Sequence, residues 1–270
     1  MASSTGYALG YADAEKRWLV RQAARFERIL ETFLRDAGVR EGDRVLDVGS
    51  GLGDVSLTLG RLVTDRGSVL GLERDTWSID RARARTETIG LRNVKFVQAD
   101  IGGFETDERF DAVVGRFILV FLPEPEAVIR RLARLLRPGG VIAFQEPVRE
   151  ATQAINAHLP LQHACGVRLR EAFAKARADT EIGSKVHALF QEAGLRAPQL
   201  RCDAPIDGSD ELACYAYDLL VSVLRSTAEY QEFAELGELE SLAQRLSAEI
   251  QSAKSCCAGP VLIGAWTQVP

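Results

Sequence analysis

Val45-Leu46-Asp47-Val48-Gly49-Ser50-Gly51-Leu52-Gly53-Asp54 gathers an apolar run, an acid and three glycines at alternate positions. The aliphatic run reads as a buried parallel strand and the apolar periodicity after Asp54 as a helix, so the glycines occupy a strand-to-helix turn. Without Cβ atoms such a turn folds tightly and aims backbone N–H groups from a helix N-terminus at a polar or anionic ligand. Two familiar nucleotide loops do not fit. The dinucleotide pattern G-x-G-x-x-G needs a glycine where Asp54 or Ser56 stands, and a P-loop needs a Gly-Lys-Ser/Thr triplet that does not follow.

Further reactive side chains close later apolar runs: Glu73 after Ser68-Val69-Leu70-Gly71-Leu72, Asp100 after Val94–Ala99, Arg116 after Phe110–Gly115, and Gln145-Glu146 after Ala143-Phe144. The elements that must position them follow from periodicity. Strand signals recur at 44–48, 68–72, 94–98, 111–115 and 141–145 with helix-length segments between them, which means βαβ crossovers and a parallel sheet covered on both faces. Before them, Trp18, Leu19, Ala23, Phe26, Ile29, Leu30, Phe33 and Leu34 mark a long amphipathic helix over 12–37 that ends at Gly38. Leu136-Arg137-Pro138-Gly139-Gly140 closes a helix over 125–136 and turns the chain into the fifth strand. Beyond Pro147 the pattern predicts helices at 151–178 and 182–193, a strand at 198–204, helix over 210–250 and a last strand at 259–267.

At 270 residues and 46% hydrophobic composition, the chain can bury one large α/β core with helical additions. A formal charge of −5 gives no reason to expect nucleic acid held by phosphate contacts. Arg81-Ala82-Arg83-Ala84-Arg85 and Arg130-Arg131 fall in amphipathic helical patterns and read as solvated faces. Five cysteines, two of them adjacent at Cys256-Cys257, show no C-x-x-C spacing, so neither a zinc site nor a disulfide framework is implied and no metal ligand is assigned. The first residues lack the charged and apolar regions of a signal peptide, and no run approaches the ~18 apolar residues of a membrane span. A cytoplasmic protein with reduced thiols is the expectation, as a monomer or homodimer.

The motif Asp47-x-Gly49-x-Gly51-x-Gly53 resembles the first motif of class I S-adenosylmethionine-dependent methyltransferases. Glu73, Asp100, the Phe110-Asp111-Ala112-Val113-Val114 segment and the Arg137-Pro138-Gly139-Gly140 turn follow in the order of that family across 44–146. More specifically, the chain resembles the small-molecule, UbiE-like group. The resemblance implies a Rossmann-like, doubly wound seven-stranded sheet with its last strand antiparallel, an N-terminal helix and helical lid insertions. Its cofactor would be S-adenosyl-L-methionine, leaving as S-adenosyl-L-homocysteine. Asp47, Gly49, Ser50, Gly51 and Gly53 would form the loop against it. Glu73, followed by Arg74, would accept both ribose hydroxyls, Asp100 the adenine amino group, and Ile101 would line the base. Tyr7–Glu15 with Arg17 and Gln22 is similar to the N-terminal segment that closes over the cofactor, which makes Tyr11 and Gln22 candidates for the methionine end. Trp266, in the closing strand, is expected in the core.

On this reading 1–270 is a single methyltransferase domain: 1–40 a helical cap, 41–146 the cofactor core, 147–180 and 206–258 helical lid or substrate-binding insertions, and 181–205 with 259–270 the rest of the sheet. The insertions serve either as a lid or in oligomer packing. Methyl transfer is an in-line displacement, so the protein mostly supplies alignment and exclusion of water. A hydroxyl acceptor would also use a general base, for which Gln145 or Glu146 near the cleft, His158 and His163 are the catalytic candidates. His187 reads as solvent-facing. Arg116 would bind an anionic acceptor or the cofactor carboxylate, or pair with a neighbouring acid. The function implied is transfer of a methyl group to O, N or C of a small, partly apolar metabolite in secondary or cofactor metabolism, including natural product biosynthesis. The alternatives are a fold relative that keeps the cofactor for a non-methylating step such as cyclisation, and a non-catalytic binding subunit.

Overall fold

A computed structural model describes residues 26–208, 219–220 and 236–270. Residues 26–36 are helical (α1). They are followed by β1 (Arg44–Val48), α2 (Asp54–Val63), β2 (Ser68–Glu73), α3 (Thr76–Ile89), β3 (Val94–Gln98), β4 (Phe110–Arg116), α4 (Pro125–Ala133) and β5 (Leu136–Val148). After these come α5 (Arg149–Ile155), α6 (Pro160–Lys175), α7 (Val186–Glu192), β6 (Gln199–Asp203), β7 (Ile206–Asp207), α8 (Leu239–Ala253), β8 (Cys257–Ala258) and β9 (Val261–Gln268).

Seven strands form one sheet in the order β3-β2-β1-β4-β5-β9-β6. β1 pairs in parallel with β2 on one side and β4 on the other, so the crossovers leave β1 in opposite directions and its carboxyl end is the topological switch point. β9 runs antiparallel: Gly139 N–H donates to Val269 O at 3.1 Å and Val269 N–H to Gly140 O at 2.9 Å, joining the end of β9 to the start of β5.

Period-two alternation sorts the strand side chains between two helical layers. Val45, Val69, Phe96, Ala112, Val114, Val141 and Ala143 share one buried cluster with α1 (Leu30, Phe33, Leu34), α2 (Val55, Leu59) and α3 (Ile79, Ala82). Trp266 belongs to that cluster, edge-on to Phe33 with ring centroids 5.9 Å apart. On the other face Phe144 meets Phe190 of α7 edge-on at 6.2 Å.

Several boundaries differ from the sequence expectation for local reasons. The helix predicted to run to 136 stops at Ala133, and Leu136 already pairs with Phe110, with a register shift before Ala112 meets Val141. The helix predicted over 151–178 is two helices, broken before Pro160, which lacks an N–H and so opens α6 at its first turn. Within the predicted helical insertion, β7 and β8 form a small antiparallel pair, Ile206 opposite Ala258 and Asp207 opposite Cys257. The predicted helix over 210–250 is described only at 219–220 and in α8, and the helix over 12–37 only from 26.

The chain divides into two compact units, and 26–146, 182–203 and 263–270 constitute the one holding most of the sheet. The other includes 147–181 and the described residues of 204–262. In it, Glu249 of α8 accepts from the N–H groups of Leu161 (2.6 Å) and Gln162 (3.0 Å), capping α6. Asn156 exchanges two hydrogen bonds with Ala258, at 2.9 and 2.7 Å. Among the described residues no helix is long and apolar enough to cross a membrane.

Candidate cofactor site

All three glycines after β1 have left-handed backbone, at φ 71° (Gly49), 52° (Gly51) and 84° (Gly53). They meet different surroundings. A Cβ on Gly49 would stand 2.6 Å from Ile118 Cδ1, and one on Gly53 would press on Phe96 and Ala82 at 3.1 and 3.2 Å. At Gly51 a Cβ would meet nothing within 4 Å. Gly49 and Gly53 therefore let the turn pack closely, against Ile118 after β4 and against β3 and α3, whereas Gly51 is the open approach. Gly49 N–H and Ser50 N–H both donate to Leu72 O, at 2.9 and 3.0 Å, which ties the turn to β2.

Glu73 completes that tie. Its Oε2 accepts from Gly51 N–H at 2.9 Å, and its Oε1 from Arg74 N–H at 2.8 Å and Asp75 N–H at 3.0 Å. Oε1 is thus committed to two backbone donors, and spare acceptor capacity lies on Oε2 rather than equally on both oxygens. The Arg74 side chain is exposed. Asp75 caps α3 by accepting from Ser78 N–H at 2.7 Å.

Arg85, read from sequence as part of a solvated basic face, instead clamps the turn. Its Nη1 donates to Leu52 O at 2.6 Å and pairs with Asp54 at 2.7 Å. Arg83 donates to Phe96 O at 3.1 Å, Arg130 to Glu192 O at 2.6 Å, and Arg131 to Ile101 O. Arg81, Arg83 and Arg130 are exposed, as expected of a solvated face, whereas Arg85 and Arg131 are half-buried; a carbonyl partner distant along the chain leaves no local signal of this.

Asp100 is exposed, and its Oδ1 accepts from Gly102 N–H at 2.7 Å, shaping the turn after β3; Ile101 is half-buried beside it. Asp47 is 1% exposed. Its Oδ2 accepts from Ser56 Oγ at 2.5 Å, and Oδ1 has no hydrogen-bond partner among the described residues. Burial pushes the Asp47 carboxyl up to about 7; the Ser56 hydrogen bond and Arg116 oppose the rise, while Glu73 and Asp54 add to it. Sequence reasoning misses Ser56. A serine on the buried face of an otherwise aliphatic helix, nine positions after an acid, is its available signal.

Arg116 ends β4 with its guanidinium 5.6 Å from the Phe117 ring. Phe117 itself takes left-handed backbone, φ 54°, and its N–H donates to Gln145 O at 3.1 Å. Glu146, predicted as a general base, is fully buried. Its Oε1 accepts from Ile118 N–H at 3.0 Å and Leu119 N–H at 2.9 Å, so it anchors the short helical turn after β4. Burial pushes its carboxyl up to about 7, against the pull of those backbone donors.

The two histidine candidates belong to the other compact unit. His158 is exposed, with Nδ1 3.1 Å from Ile155 O and Nε2 2.7 Å from Ser255 Oγ. His163 lies on α6, and its Nδ1 is buried without a hydrogen-bond partner among the described residues. His187 is exposed. Tyr11 and Gln22 lie outside the described residues.

This strand order, with a glycine turn locked to the acid of the neighbouring strand, agrees with a match to the methyltransferase domain family over residues 40–194, more than half of the chain. The chain belongs to this family. Its cofactor is S-adenosylmethionine, as in class I members. Among similar proteins, the ubiquinone/menaquinone biosynthesis C-methyltransferase UbiE of Citrobacter koseri is 34% identical over 129 residues, covering 46% of this chain and 51% of that protein. The aklanonic acid methyltransferase DauC of a Streptomyces species is 34% identical over 137 residues, covering 45% of this chain and 62% of that one. The chain spans about half the length of the curated relatives it matches. In fold, it superposes on a SAM-dependent methyltransferase from Aquifex aeolicus (TM-score 0.53, 20% identity, 71% of this chain and 91% of that one). It also superposes on the [4+2]-cyclase SpnF (TM-score 0.56, 17% identity, 90% and 80%).

The residues present fit that cofactor. Glu73 Oε2 has spare capacity for a ribose hydroxyl, and the space at Gly51 admits a close backbone approach. Ser50 Oγ and Asp47 Oδ1 are buried polar atoms without partners among the described residues, which a polar ligand would satisfy.

Proposed function

We propose that the protein transfers a methyl group from S-adenosylmethionine to O, N or C of a small, partly apolar metabolite. The reading is carried by the Gly51–Glu73 hydrogen bond, which locks the open glycine of the turn to the strand-terminal acid at the switch point of the sheet. Bound S-adenosylmethionine supplies an electrophilic methyl group on a sulfonium leaving group.

The residues of the chain supply position. Glu73 Oε2 takes a ribose hydroxyl, Asp100 and Ile101 receive the adenine, and the Gly49–Gly53 turn sets how near the backbone comes. Arg85 and Glu146 Oε1 hold the two loops that border this edge. Holding both reactants in line makes the displacement effectively unimolecular, which is the larger part of what such a site contributes. Where the acceptor is a hydroxyl, Glu146, His158 and His163 stay the candidates for its base; Glu146 Oε2 and His163 Nδ1 are buried without a partner among the described residues, whereas both ring nitrogens of His158 are engaged. We assign 41–146 to cofactor binding and the segments 147–180 and 206–258 to acceptor selection. UbiE and DauC are both named for small-molecule substrates or biosynthesis, which supports a metabolite acceptor and a place in natural product biosynthesis.

The test is incubation with S-adenosylmethionine bearing an isotope-labelled methyl group and a panel of phenols, quinols and aromatic acids, read by mass spectrometry. Gain of one labelled methyl supports transfer. Rearrangement of a substrate with the cofactor unconsumed supports the non-methylating alternative, and cofactor binding without turnover of any panel member supports a binding subunit.

A further inference from the structure

Gln145 is 1% exposed, yet neither its amide oxygen nor its amide nitrogen has a hydrogen-bond partner among the described residues. A buried primary amide left wholly unpaired is costly, so a protein keeps one where a partner arrives later. Where Gln145 sits says what that partner is. Register places it beside Arg116 on the neighbouring strand. Alternation then puts both on the sheet face of Val114 and Ala143, which is also the face of Val45 and Asp47. Asp47 and Arg116 feel each other's charge, since Arg116 holds the Asp47 carboxyl down against burial. Toward the carboxyl ends of β1 and β4, and beside them on β5, there is thus a polar set on one face: an acid whose Oδ1 has no partner among the described residues and, two residues further along the strands, a guanidinium next to an amide offering donors and an acceptor.

Glu73 ends β2 and Asp100 follows β3, so the nucleoside end of an elongated ligand belongs on that side of β1. Its other end then runs toward β4 and β5. In S-adenosylmethionine that end is an α-amino acid zwitterion, whose ammonium needs acceptors and whose carboxylate needs donors. Glu73 and Gln145 are three strand spacings apart, about 14 Å, a gap that a nucleoside carrying an amino-acid tail bridges and a bare nucleoside does not.

We propose that Gln145 is a cofactor-binding residue that grips the amino-acid end of S-adenosylmethionine, its Nε2 donating to the carboxylate alongside Arg116 and its Oε1 accepting from the ammonium alongside Asp47. This rests on the cofactor assignment above and adds a residue to it.

The test compares two defined probes by calorimetry. S-adenosylhomocysteine carries the amino-acid tail, and 5′-methylthioadenosine has the same nucleoside without it. Gln145→Leu should weaken S-adenosylhomocysteine about ten- to hundredfold, as expected for lost hydrogen bonds to charged groups, and leave methylthioadenosine within about twofold. Gln145→Glu should weaken S-adenosylhomocysteine at least as much, because a carboxylate would face a carboxylate. The unliganded Gln145→Leu variant should unfold at or above the wild-type temperature, since it removes a buried amide that is unpaired among the described residues. Unchanged S-adenosylhomocysteine affinity in both variants would overturn the proposal and return Gln145 to the acceptor or the core. So would equal loss of both probes. If Gln145→Leu compromised folding, Gln145→Glu and Gln145→Met would decide by the same ratio of probe affinities. A wild-type protein that binds neither probe would instead refute the cofactor assignment itself.

Discussion

Gly51 donates its backbone N–H to the Glu73 carboxylate at 2.9 Å, so the turn after β1 and the acid that ends β2 form one rigid unit. A carboxylate that also accepts from Arg74 and Asp75 cannot swing toward a ligand; the ligand must come to it. Such fixed donors and acceptors bind with little ordering cost, which is what preorganisation means here.

Two glycines in that turn should respond differently to the same methyl group. Gly49→Ala forces a Cβ into Ile118 and should destabilise the fold by about 2–4 kcal/mol, combining overpacking with left-handed strain. Gly51→Ala meets open space and should cost only about 1 kcal/mol in stability while reducing S-adenosylhomocysteine affinity more than about tenfold. Urea unfolding and calorimetry on both variants check the split. Equal stability losses would show that the turn does not pack as described.

Arg85→Ala removes the clamp on Leu52 O and Asp54. A loss of about 1–2 kcal/mol in stability is expected, with S-adenosylhomocysteine affinity lowered about five- to tenfold because the turn is no longer held open. Arg81→Ala on the same helix, where the guanidinium lies 5.4 Å from the Trp77 ring, should leave affinity unchanged. Matching behaviour of the two variants in calorimetry would contradict a specific role for Arg85.

Asp47 and Glu146 predict an unusual pH dependence of stability. Burial raises both carboxyls to about 7. From the ordinary values of 3.8 and 4.5 up to about 7, the unfolded chain releases these protons while the folded chain keeps them. Their joint contribution to stability therefore falls as pH rises through that window and levels off above it. Glu146→Gln keeps an oxygen for the N–H groups of Ile118 and Leu119 but cannot ionise. Its loss of stability between about pH 5 and 8 should therefore be smaller than that of the wild type. Denaturant midpoints at several pH values measure this. An unchanged slope would mean that Glu146 is ionised throughout.

What the sequence made legible divides along physical lines. The turn and β1 to β4 could be read because an aliphatic run, an acid and spaced glycines are local patterns, and Trp266 is in the core as expected. The break before Pro160, the early start of β5 at Leu136 and the β7–β8 pair depend on partners remote in sequence, so no local pattern announces them. The same holds within the site. Glu73 stands out as an acid at the end of a strand, but the commitment of its Oε1 to backbone donors does not. Arg85 looks solvated because its partners, Leu52 and Asp54, lie more than 30 positions away. Glu146 stands out as an acid near the end of a strand, but the commitment of its Oε1 to the N–H groups of Ile118 and Leu119 does not, because that turn is 27 and 28 positions away.

The most direct measurement is calorimetric titration of S-adenosylhomocysteine into the wild-type protein and Glu73→Ala. A wild-type dissociation constant of about 10 μM or tighter is expected, with the variant at least about a hundredfold weaker. Millimolar or absent wild-type binding, or an affinity that Glu73→Ala leaves unchanged, would contradict the assignment of this turn and its acid to the cofactor.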